Sequence, residues 1–431
     1  MKQLYRDIGL VQLVFWPTMY WPAPGGGYAR RASPVFFRLR RVLPFNSLIV
    51  LTALLVACGS TSAPTLVVPP ACTPCRVITS SNIGTQSNEL SGVAALTLDD
   101  AWAVGHYYDN NENLLQLIEH WDGVQWSIVS APHNNPGESD LQSVAALIPT
   151  DVWAVGSSSP SSSSGSSIAL IEHWNGAQWS SVSHPATVES ELLGVTAIAT
   201  ADVWAVGDAT TSRDLNQPLI EHWNGQQWSV IAGGTIGNND GKLKAVTALA
   251  ANNIWAVGSI VGPQTKYGQG LIEHWNGVQW SVSSSAPYGQ QSYLTGVAAV
   301  SDSDVYAVGY YFDTSPRHNI LPFLEHWNGS QWSVLTSPTL SDSYISQFNA
   351  VAVITANDIW IVGSLQSKAD GITRTLLEQW NGRQWSVFST SSHGSNSHLD
   401  AIAPIPGSSQ LWGVGGTGSS PHDQTIIEHI G

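Results

Sequence analysis

The sequence repeats one pattern seven times, and this repetition constrains the fold more than any single residue does. Each copy opens on a large apolar residue that starts a short apolar run, and successive copies begin 51, 51, 51, 51, 54 and 51 residues apart. The opening residues are Leu90, Leu141, Leu192, Leu243, Leu294, Phe348 and Leu399. A period of this length is typical of solenoids, propellers and arrays, whose units cannot bury their apolar faces alone.

Each repeat contains four short segments that favour β-strands. In the second copy they are residues 141–147, 152–156, 170–174 and 178–182, which are rich in Val, Ile and Trp and show no helical period. An Asp-containing turn separates the first two segments. An Asn-Gly pair, which favours a type I′ turn with positive φ at both residues, separates the last two. Each repeat is therefore predicted to be a four-stranded antiparallel meander.

Tryptophan recurs at one position in each of strands two, three and four, and these positions hold 18 of the 20 tryptophans. Such rings bury on the order of 150–250 Å² each, so both faces of the small sheet need cover. Stacking the sheets radially supplies it. The seventh copy lacks its fourth strand, whereas an isolated segment, residues 76–79, precedes the first copy. The sequence thus predicts an all-β, seven-bladed β-propeller, closed by an N-terminal strand that completes the last blade.

The order of these residues resembles the kelch repeat of the galactose-oxidase-like propellers. In the third copy, residues 203–207 form an apolar strand ending in glycine, residues 220–225 carry an aromatic before a turn, and Trp228 opens the outer strand. The resemblance covers roughly residues 75–431. It departs from the kelch pattern because the glycine pair is a single glycine in every copy except at Gly415-Gly416, and Trp replaces the usual Tyr. The Tyr–Cys crosslink of galactose oxidase is impossible here, because the blades contain no cysteine.

The N-terminal region resembles a bacterial lipoprotein signal. Arginines within residues 38–41 precede an apolar run, residues 48–57, that is too short to span a bilayer and ends in the sequence Leu-Val-Ala-Cys. By this resemblance Cys58 is lipidated, which implies a bacterial protein anchored on the extracytoplasmic face of the cell membrane. An ordinary secretory signal or membrane anchor is the alternative, and the start of translation is open, with Met19 as one candidate.

This interpretation divides the chain into a leader at 1–57, a lipidated cysteine and Ser/Thr/Pro-rich tether at 58–72, and the propeller at 73–431. From the lipidated cysteine onward, nine Lys and Arg face thirty Asp and Glu, a formal net charge of −21. An acidic surface disfavours nucleic acid and anionic lipid as partners. We therefore expect membrane contact through the lipid anchor only, and a monomer without a cofactor.

Three cysteines exist in the chain, and two of them form a C-x-x-C pair, Cys72 and Cys75. In an oxidising compartment this pair is predicted to be a small disulfide clip beside the closing strand. No βαβ pattern supports a redox motif, and no second Cys/His pair with ligand spacing supports a zinc site.

A Glu-His pair recurs on the third strand of the repeats and invites comparison with acid–base or metal sites. The glutamates are Glu119, Glu172, Glu221, Glu273, Glu325, Glu378 and Glu428; His follows in six copies, and Gln379 follows in the sixth. Because the pair recurs in every blade, too far apart to converge, we interpret it as structural. We expect each His to bond across the hairpin to a Gln, such as His222 to Gln227. No hydrolase, phosphate-loop or zinc-protease motif appears, so no catalytic or metal-binding residue is predicted.

If the repeated residues build the ring, function is expected at positions that do not repeat. The loops between strands two and three, and those between blades, lie on one face of a propeller and vary most in this chain. Their aromatic, amide and charged side chains suit sugars or peptide segments. The candidate ligand-binding residues are His106, Tyr107, Tyr108, Asp109, Arg213, Tyr267, Tyr310, Tyr311, Phe312, Arg317 and His318. Ordinary packing of loop side chains at the rim is the alternative interpretation.

The sequence therefore favours a membrane-anchored binding or scaffold propeller that recognises a protein, peptide or glycan through its variable-loop face. Two alternatives stay open: a carbohydrate-active enzyme with a single site at the mouth of the central channel, and a purely structural surface protein. A cluster of carboxylates from different blades at that mouth would favour the enzyme. A broad aromatic or flat polar loop face would favour binding.

Overall fold

The computed structural model describes most of the unit Pro64–Gly431 and contains strands as its only regular elements in the described residues. The described residues are 75–132, 137–159, 167–185, 189–211, 215–263, 267–286, 289, 291–315, 319–336, 344–388, 396–418 and 422–431. Among them, no helix has the length and apolar character needed to cross a membrane. Cys58, Cys72 and the leader lie outside these residues, so the predictions made for them stay predictions.

The first four blades follow the repeats of the sequence. Their strands, after the short N-terminal strand β1 (Arg76–Val77), are β2 (Asn88–Thr97), β3 (Asp100–Tyr108), β4 (Leu114–Trp121) and β5 (Trp126–Ile128); β6 (Glu138–Ile148), β7 (Asp151–Ser159), β8 (Ile168–Trp174) and β9 (Trp179–Ser181); β10 (Ser190–Ala199), β11 (Asp202–Thr210), β12 (Asn216–Trp223) and β13 (Trp228–Val230); β14 (Asp240–Ala250), β15 (Asn253–Val261), β16 (Gly268–Trp275) and β17 (Trp280–Ser283).

The last three blades continue the same order. Their strands are β18 (Gln291–Ser301), β19 (Asp304–Phe312), β20 (Ile320–Trp327) and β21 (Trp332–Val334); β22 (Tyr344–Thr355), β23 (Asp358–Ser367), β24 (Thr373–Trp380) and β25 (Trp385–Phe388); β26 (Ser397–Pro404), β27 (Leu411–Thr417) and β28 (Gln424–Ile430). Each blade is one four-stranded antiparallel sheet with its first strand innermost, and β26 of the last blade contacts β2 of the first. The predicted seven-bladed propeller is confirmed.

The N-terminal strand closes the ring, as predicted. β1 pairs antiparallel with β28, and the order of the last sheet is β1-β28-β27-β26. Ile78 N–H extends this pairing by donating to Ile427 O at 2.9 Å. Cys75, directly before β1, is in a disulfide bond. Its partner lies outside the described residues, so the pairing with Cys72 stays a prediction.

Tryptophans join neighbouring blades. The Trp of a second strand typically contacts the Trp residues of the third and fourth strands of the next blade, as Trp102 contacts Trp174 and Trp179. The same contact spans the closure, where the ring of Trp412 lies 5.2 Å from that of Trp121 and 5.3 Å from that of Trp126. The indoles therefore supply the cover that the isolated sheets lack.

The hairpin between strands three and four differs from the predicted type I′ turn. In the second blade φ is positive at Gly176 but not at Asn175, whose side chain instead accepts hydrogen bonds from the N–H groups of Ala177 and Gln178. Glycine is thus the first central residue, as in a type II′ turn. This moves the cross-strand register, so that His173 faces Ser180 rather than Gln178.

The partner predicted for the strand-three histidines was therefore wrong, although their role is structural. His173 Nε2 lies 2.8 Å from Oδ1 of Asp151, the turn residue at the start of strand two. The blades of His120, His222, His274 and His326 repeat this bond to Asp or Asn at 2.7–2.9 Å, and Gln379 makes it to Asp358 at 3.0 Å.

The strand-three glutamates are fully buried, each with 0% exposure. Several of them accept hydrogen bonds from the segment that enters their own blade: Glu119 from Ser80 Oγ at 2.6 Å and Glu273 from Gly234 N–H at 2.7 Å. Burial raises the pKa of Glu119 and Glu273 to about 7 and that of Glu172 to about 8. These residues hold the inter-blade segments in place and do not form a common site.

Candidate ligand site at the mouth of the central channel

Every innermost strand carries a β-bulge directly after its opening apolar residue. In the first blade the register passes from Leu90–Gly105 to Gly92–Val104, which leaves Ser91 without a cross-strand partner. The six other blades show the same shift at the equivalent place. The bulge residues are Ser91, Gln142, Leu193, Lys244, Thr295, Asn349 and Asp400. A bulge redirects side chains locally, and here it does so once in each blade.

These seven residues line one cavity of about 430 Å³ in the central channel. The residue after each bulge is Gly, Ser or Ala. The reason is visible at Gly92, where an added Cβ would lie only 3.0 Å from Cα of Ser143 in the next blade. Small residues therefore allow the innermost strands to approach each other, while the bulge side chains face the cavity.

Some bulge side chains connect neighbouring blades, and others span the cavity. Thr295 Oγ1 donates to Phe348 O at 2.9 Å, and Asn349 Nδ2 donates to Leu399 O at 2.9 Å. Lys244 Nζ instead reaches Gln142 Oε1, two blades away, at 3.4 Å. Burial, followed by repulsion from a second lysine, lowers the pKa of Lys244. The cavity thus contains a buried amine whose hydrogen bond crosses to another blade.

Titratable residues of the first and last blades meet beside this cavity. His398 Nε2 lies 3.2 Å from Glu89 Oε1 and 3.1 Å from Asp400 Oδ2, and His106 Nε2 lies 3.9 Å from Glu89 Oε2. Burial lowers the pKa of His398, but its bonds to Asp400 and Glu89 outweigh burial and raise it to about 10. The bond to His398 lowers the pKa of Glu89, whereas burial raises that of Asp400.

A carboxyl pair in the third blade includes Glu191, which lies two residues before the bulge residue Leu193. Glu191 and Asp208 face each other across β10 and β11. Burial, and then the neighbouring Glu191, raise the pKa of Asp208 to about 7, although Lys242 opposes this. One of the two carboxyls can therefore carry a proton near neutral pH.

The structure places the predicted ligand-binding residues of the first blade in different surroundings. His106 lines the cavity, and the exposed ring of Tyr108 lies 5.8 Å from its ring. Tyr107 packs against the apolar cluster of the closing seam. The Asp109 carboxylate accepts hydrogen bonds from its own loop, including the Asn113 side chain at 2.9 Å, and these bonds lower its pKa. Asp109 therefore caps a loop.

The predicted residues of the fifth blade form a separate aromatic group. Tyr310 lies 6.0 Å from Phe312, and Tyr293 of β18 stacks on Tyr310 at 5.3 Å. Tyr311 turns toward the buried Phe323 at 6.3 Å. The fourth blade carries Tyr267, which is 44% exposed. The remaining predicted residues, Arg213, Arg317 and His318, lie outside the described part of the chain.

Sequence reasoning missed the cavity-lining residues apart from His106. The signal was present: the position after the opening residue is Ser, Gln, Leu, Lys, Thr, Asn or Asp, whereas its neighbours repeat. A regular strand would have placed these side chains between blades. The bulge that directs them to the cavity has no signature of its own in one sequence.

Neither the family models nor the curated proteins include a match to this chain. Solved structures do match. YCF48 bound to D1 peptide has a TM-score of 0.52 at 14% identity, covering 86% of this chain and 99% of its own. YCF48 from Cyanidioschyzon merolae has a TM-score of 0.51 at 12% identity, with 83% and 98% covered.

A polysaccharide lyase, PL25 ulvan lyase bound to -[GlcA(1-4)Rha3S]-, has a TM-score of 0.51 at 10% identity, covering 82% of this chain and 95% of its own. At these identities the similarity establishes the fold alone, and the kelch resemblance stays a prediction. The chain is a seven-bladed β-propeller whose structural neighbours include a peptide-bound protein and a glycan-bound lyase.

Proposed function

We propose that this chain is a membrane-anchored binding propeller, lipidated at Cys58 on the outer side of a bacterial membrane, which recognises a peptide or glycan through its variable-loop face. Within this face, the mouth of the central channel is the subsite that holds one inserted group of the ligand. The observation that carries the proposal is the ring of seven bulge residues, which differ in chemistry while the scaffold positions repeat.

The position of the cavity supports this proposal. First strands begin, and second strands end, at the channel end where His106 and Glu89 lie. The loops between strands two and three and those between blades belong to this same end. A chain crossing the loop face can therefore insert one group into the cavity, whose volume of about 430 Å³ is within the usual range of ligand pockets.

The cavity's chemistry suits a polar, uncharged group. Lys244 offers donors, whereas Glu89 and Asp400 offer acceptors, and Leu193 adds one apolar contact. Hydroxyl and amide groups, which both donate and accept, match such a mixed lining. Sugar hydroxyls and peptide amides have this character, and the peptide-bound and glycan-bound neighbours are consistent with it.

Glycan and peptide arrays probed with the purified protein test the proposal. Lys244→Ala and Gln142→Ala should each weaken binding ~10-fold or more, the value of one buried hydrogen bond to a charged group. The control is Val278→Ser, because Val278 is 82% exposed in a hairpin at the opposite end of the blades. Binding that survives both cavity substitutions would place the ligand elsewhere. Mass spectrometry of Cys58 tests the anchor separately.

A carbohydrate-active enzyme is the second candidate, because carboxylates from different blades do gather at the channel mouth. The Glu191–Asp208 pair of the third blade combines a carboxyl whose pKa is raised to about 7 with a second carboxyl that faces it across the strands, which suits general acid–base work. If the protein cleaves a bound glycan, Asp208→Asn should lower turnover at least ~100-fold and leave binding intact. Polysaccharides that remain intact on prolonged incubation with wild-type protein, as judged by mass spectrometry, would exclude this candidate for those substrates.

A further inference from the structure

We propose that Glu89, His398 and Asp400 form a binding site for a divalent transition-metal ion of the Zn²⁺ class. The site lies at the seam between the first and last blades and faces the channel. Glu89 belongs to β2, whereas His398 and Asp400 belong to β26, so a bound ion would link the two blades that close the ring.

The geometry of the three side chains supports a shared ion. Their candidate ligand atoms all lie within 4.8 Å of one another. Both carboxylates approach the same ring nitrogen of His398, at 3.2 and 3.1 Å. One N–H carries a single hydrogen and cannot bond fully to both. Tetrahedral ligands with bonds of about 2.0–2.2 Å lie roughly 3.3–3.6 Å apart, close to these two distances from His398.

A fourth side chain, His106, stands next to this triad. Its Nε2, the ring nitrogen nearer to the triad, lies 3.9 Å from Glu89 Oε2. The imidazole and the two carboxylates of the triad form a mixed N/O set, which favours Zn²⁺ over Mg²⁺ or Ca²⁺. Glu89, His106 and Asp400 also line the central cavity, so the ion would keep a coordination position open to the channel.

The seventh blade has a unique local sequence that makes room for the triad. It is the single copy with His before the opening residue and an acid at the bulge. Gly416 stands where the other copies carry His, Ser, Asp or Tyr. A Cβ added there would lie 3.3 Å from His398 Cε1 and 3.5 Å from Glu89 Cγ. The second glycine of the Gly415-Gly416 pair thus leaves space for His398 to reach Glu89.

Titration calorimetry of the chelator-treated full chain with Zn²⁺ alone tests the site. We expect saturable binding of one ion per chain and a melting temperature that rises with Zn²⁺ concentration, because an ion bound only by the folded state stabilises it. His398→Ala should weaken binding at least ~10-fold and remove most of the thermal shift. Glu89→Gln, which keeps the side-chain shape, should weaken it similarly and covers the case in which His398→Ala fails to fold.

The matched control is Asp140→Asn, which removes one carboxylate at the position of the next blade equivalent to Glu89. It should bind Zn²⁺ like the wild type. Equal weakening in Asp140→Asn and Glu89→Gln would mean that Zn²⁺ responds to the general acidity of the mouth, and would overturn the proposal. Absence of one-to-one binding in the wild type would also overturn it and leave the triad an ion pair.

Discussion

The buried glutamates predict that this protein loses stability as the pH rises from acid to weakly alkaline values. The sharpest case is Glu172, which is 0% exposed and whose pKa burial raises from 4.5 to about 8. A raised pKa in the folded state means that the folded protein holds this proton more tightly than the unfolded chain. Its contribution is therefore complete below pH 4.5 and lost as the pH rises toward 8.

The size of the effect follows from the shift. A difference of 3.5 pKa units corresponds to at most ~5 kcal/mol, and local relaxation reduces this. Glu119 and Glu273 act in the same direction with a pKa of about 7. Exposed loop carboxylates act oppositely: loop hydrogen bonds, led by that of Ser315, lower the pKa of Asp313 to about 2, so its contribution is lost only in stronger acid.

Equilibrium urea unfolding at pH 4.5, 6, 7, 8 and 9 measures this dependence. Wild-type stability should fall over this range. In Glu172→Gln, the loss of unfolding free energy over this pH range should be smaller by about 2–4 kcal/mol, since the amide fills the same space without ionising. Exposed Glu138→Gln should keep the wild-type slope. A wild-type stability that is constant or rises between pH 5 and 8, or a Glu172→Gln slope equal to that of the wild type, would refute the reasoning.

Three further predictions concern the ring and its seam. Deleting residues 75–80 removes β1 and the bond of Ser80 to Glu119, so the melting temperature measured by circular dichroism should fall sharply; an unchanged melt would contradict the closure. Trp412→Ala leaves a cavity at the same seam and should cost about 3–5 kcal/mol in urea unfolding; a loss under 1 kcal/mol would count against indole packing between blades. Gly416→Ser should weaken Zn²⁺ binding ~10-fold in calorimetry, because the added side chain takes the space that His398 uses. The blade should stay folded, because the second, fourth and sixth copies carry Ser at this position. A Zn²⁺ affinity equal to that of the wild type would show that His398 needs no such space.

The fold could be predicted because its determinants repeat. The apolar runs, the Gly of each hairpin and the tryptophans recur in register, and the missing last strand identified β1 as the closing segment. The error concerned the cross-strand register of the hairpin between strands three and four, in which the partner of one residue moved by two positions. Reading Asn175-Gly176 as the centre of the turn placed His173 opposite Gln178, whereas the positive φ at Gly176 alone places it opposite Ser180.

The candidate site could not be predicted because its residues are far apart in sequence and share no motif. Glu89 and His398 are 309 positions apart and meet only because the ring closes. The aromatic residues that were predicted to lie in loops were visible in the sequence, but Tyr107 and Tyr311 belong to strands β3 and β19 and turn into apolar clusters, and Asp109 caps its own loop. A predicted loop position therefore did not indicate availability to a ligand.

The bulge explains how one chain combines a repeated scaffold with a variable site. The opening residue, such as Leu243, is buried between blades and must stay apolar, and the residue after the bulge must be small because the next blade's backbone is close. The bulge residue between them, here Lys244, faces the cavity, so neither of these two requirements applies to its side chain. Its chemistry can therefore change without altering blade packing, so exchanging Lys244 for Gln should change ligand preference more than stability. In the proposed binding propeller, this separation would let the channel mouth specify its ligand blade by blade, in addition to the variable-loop face.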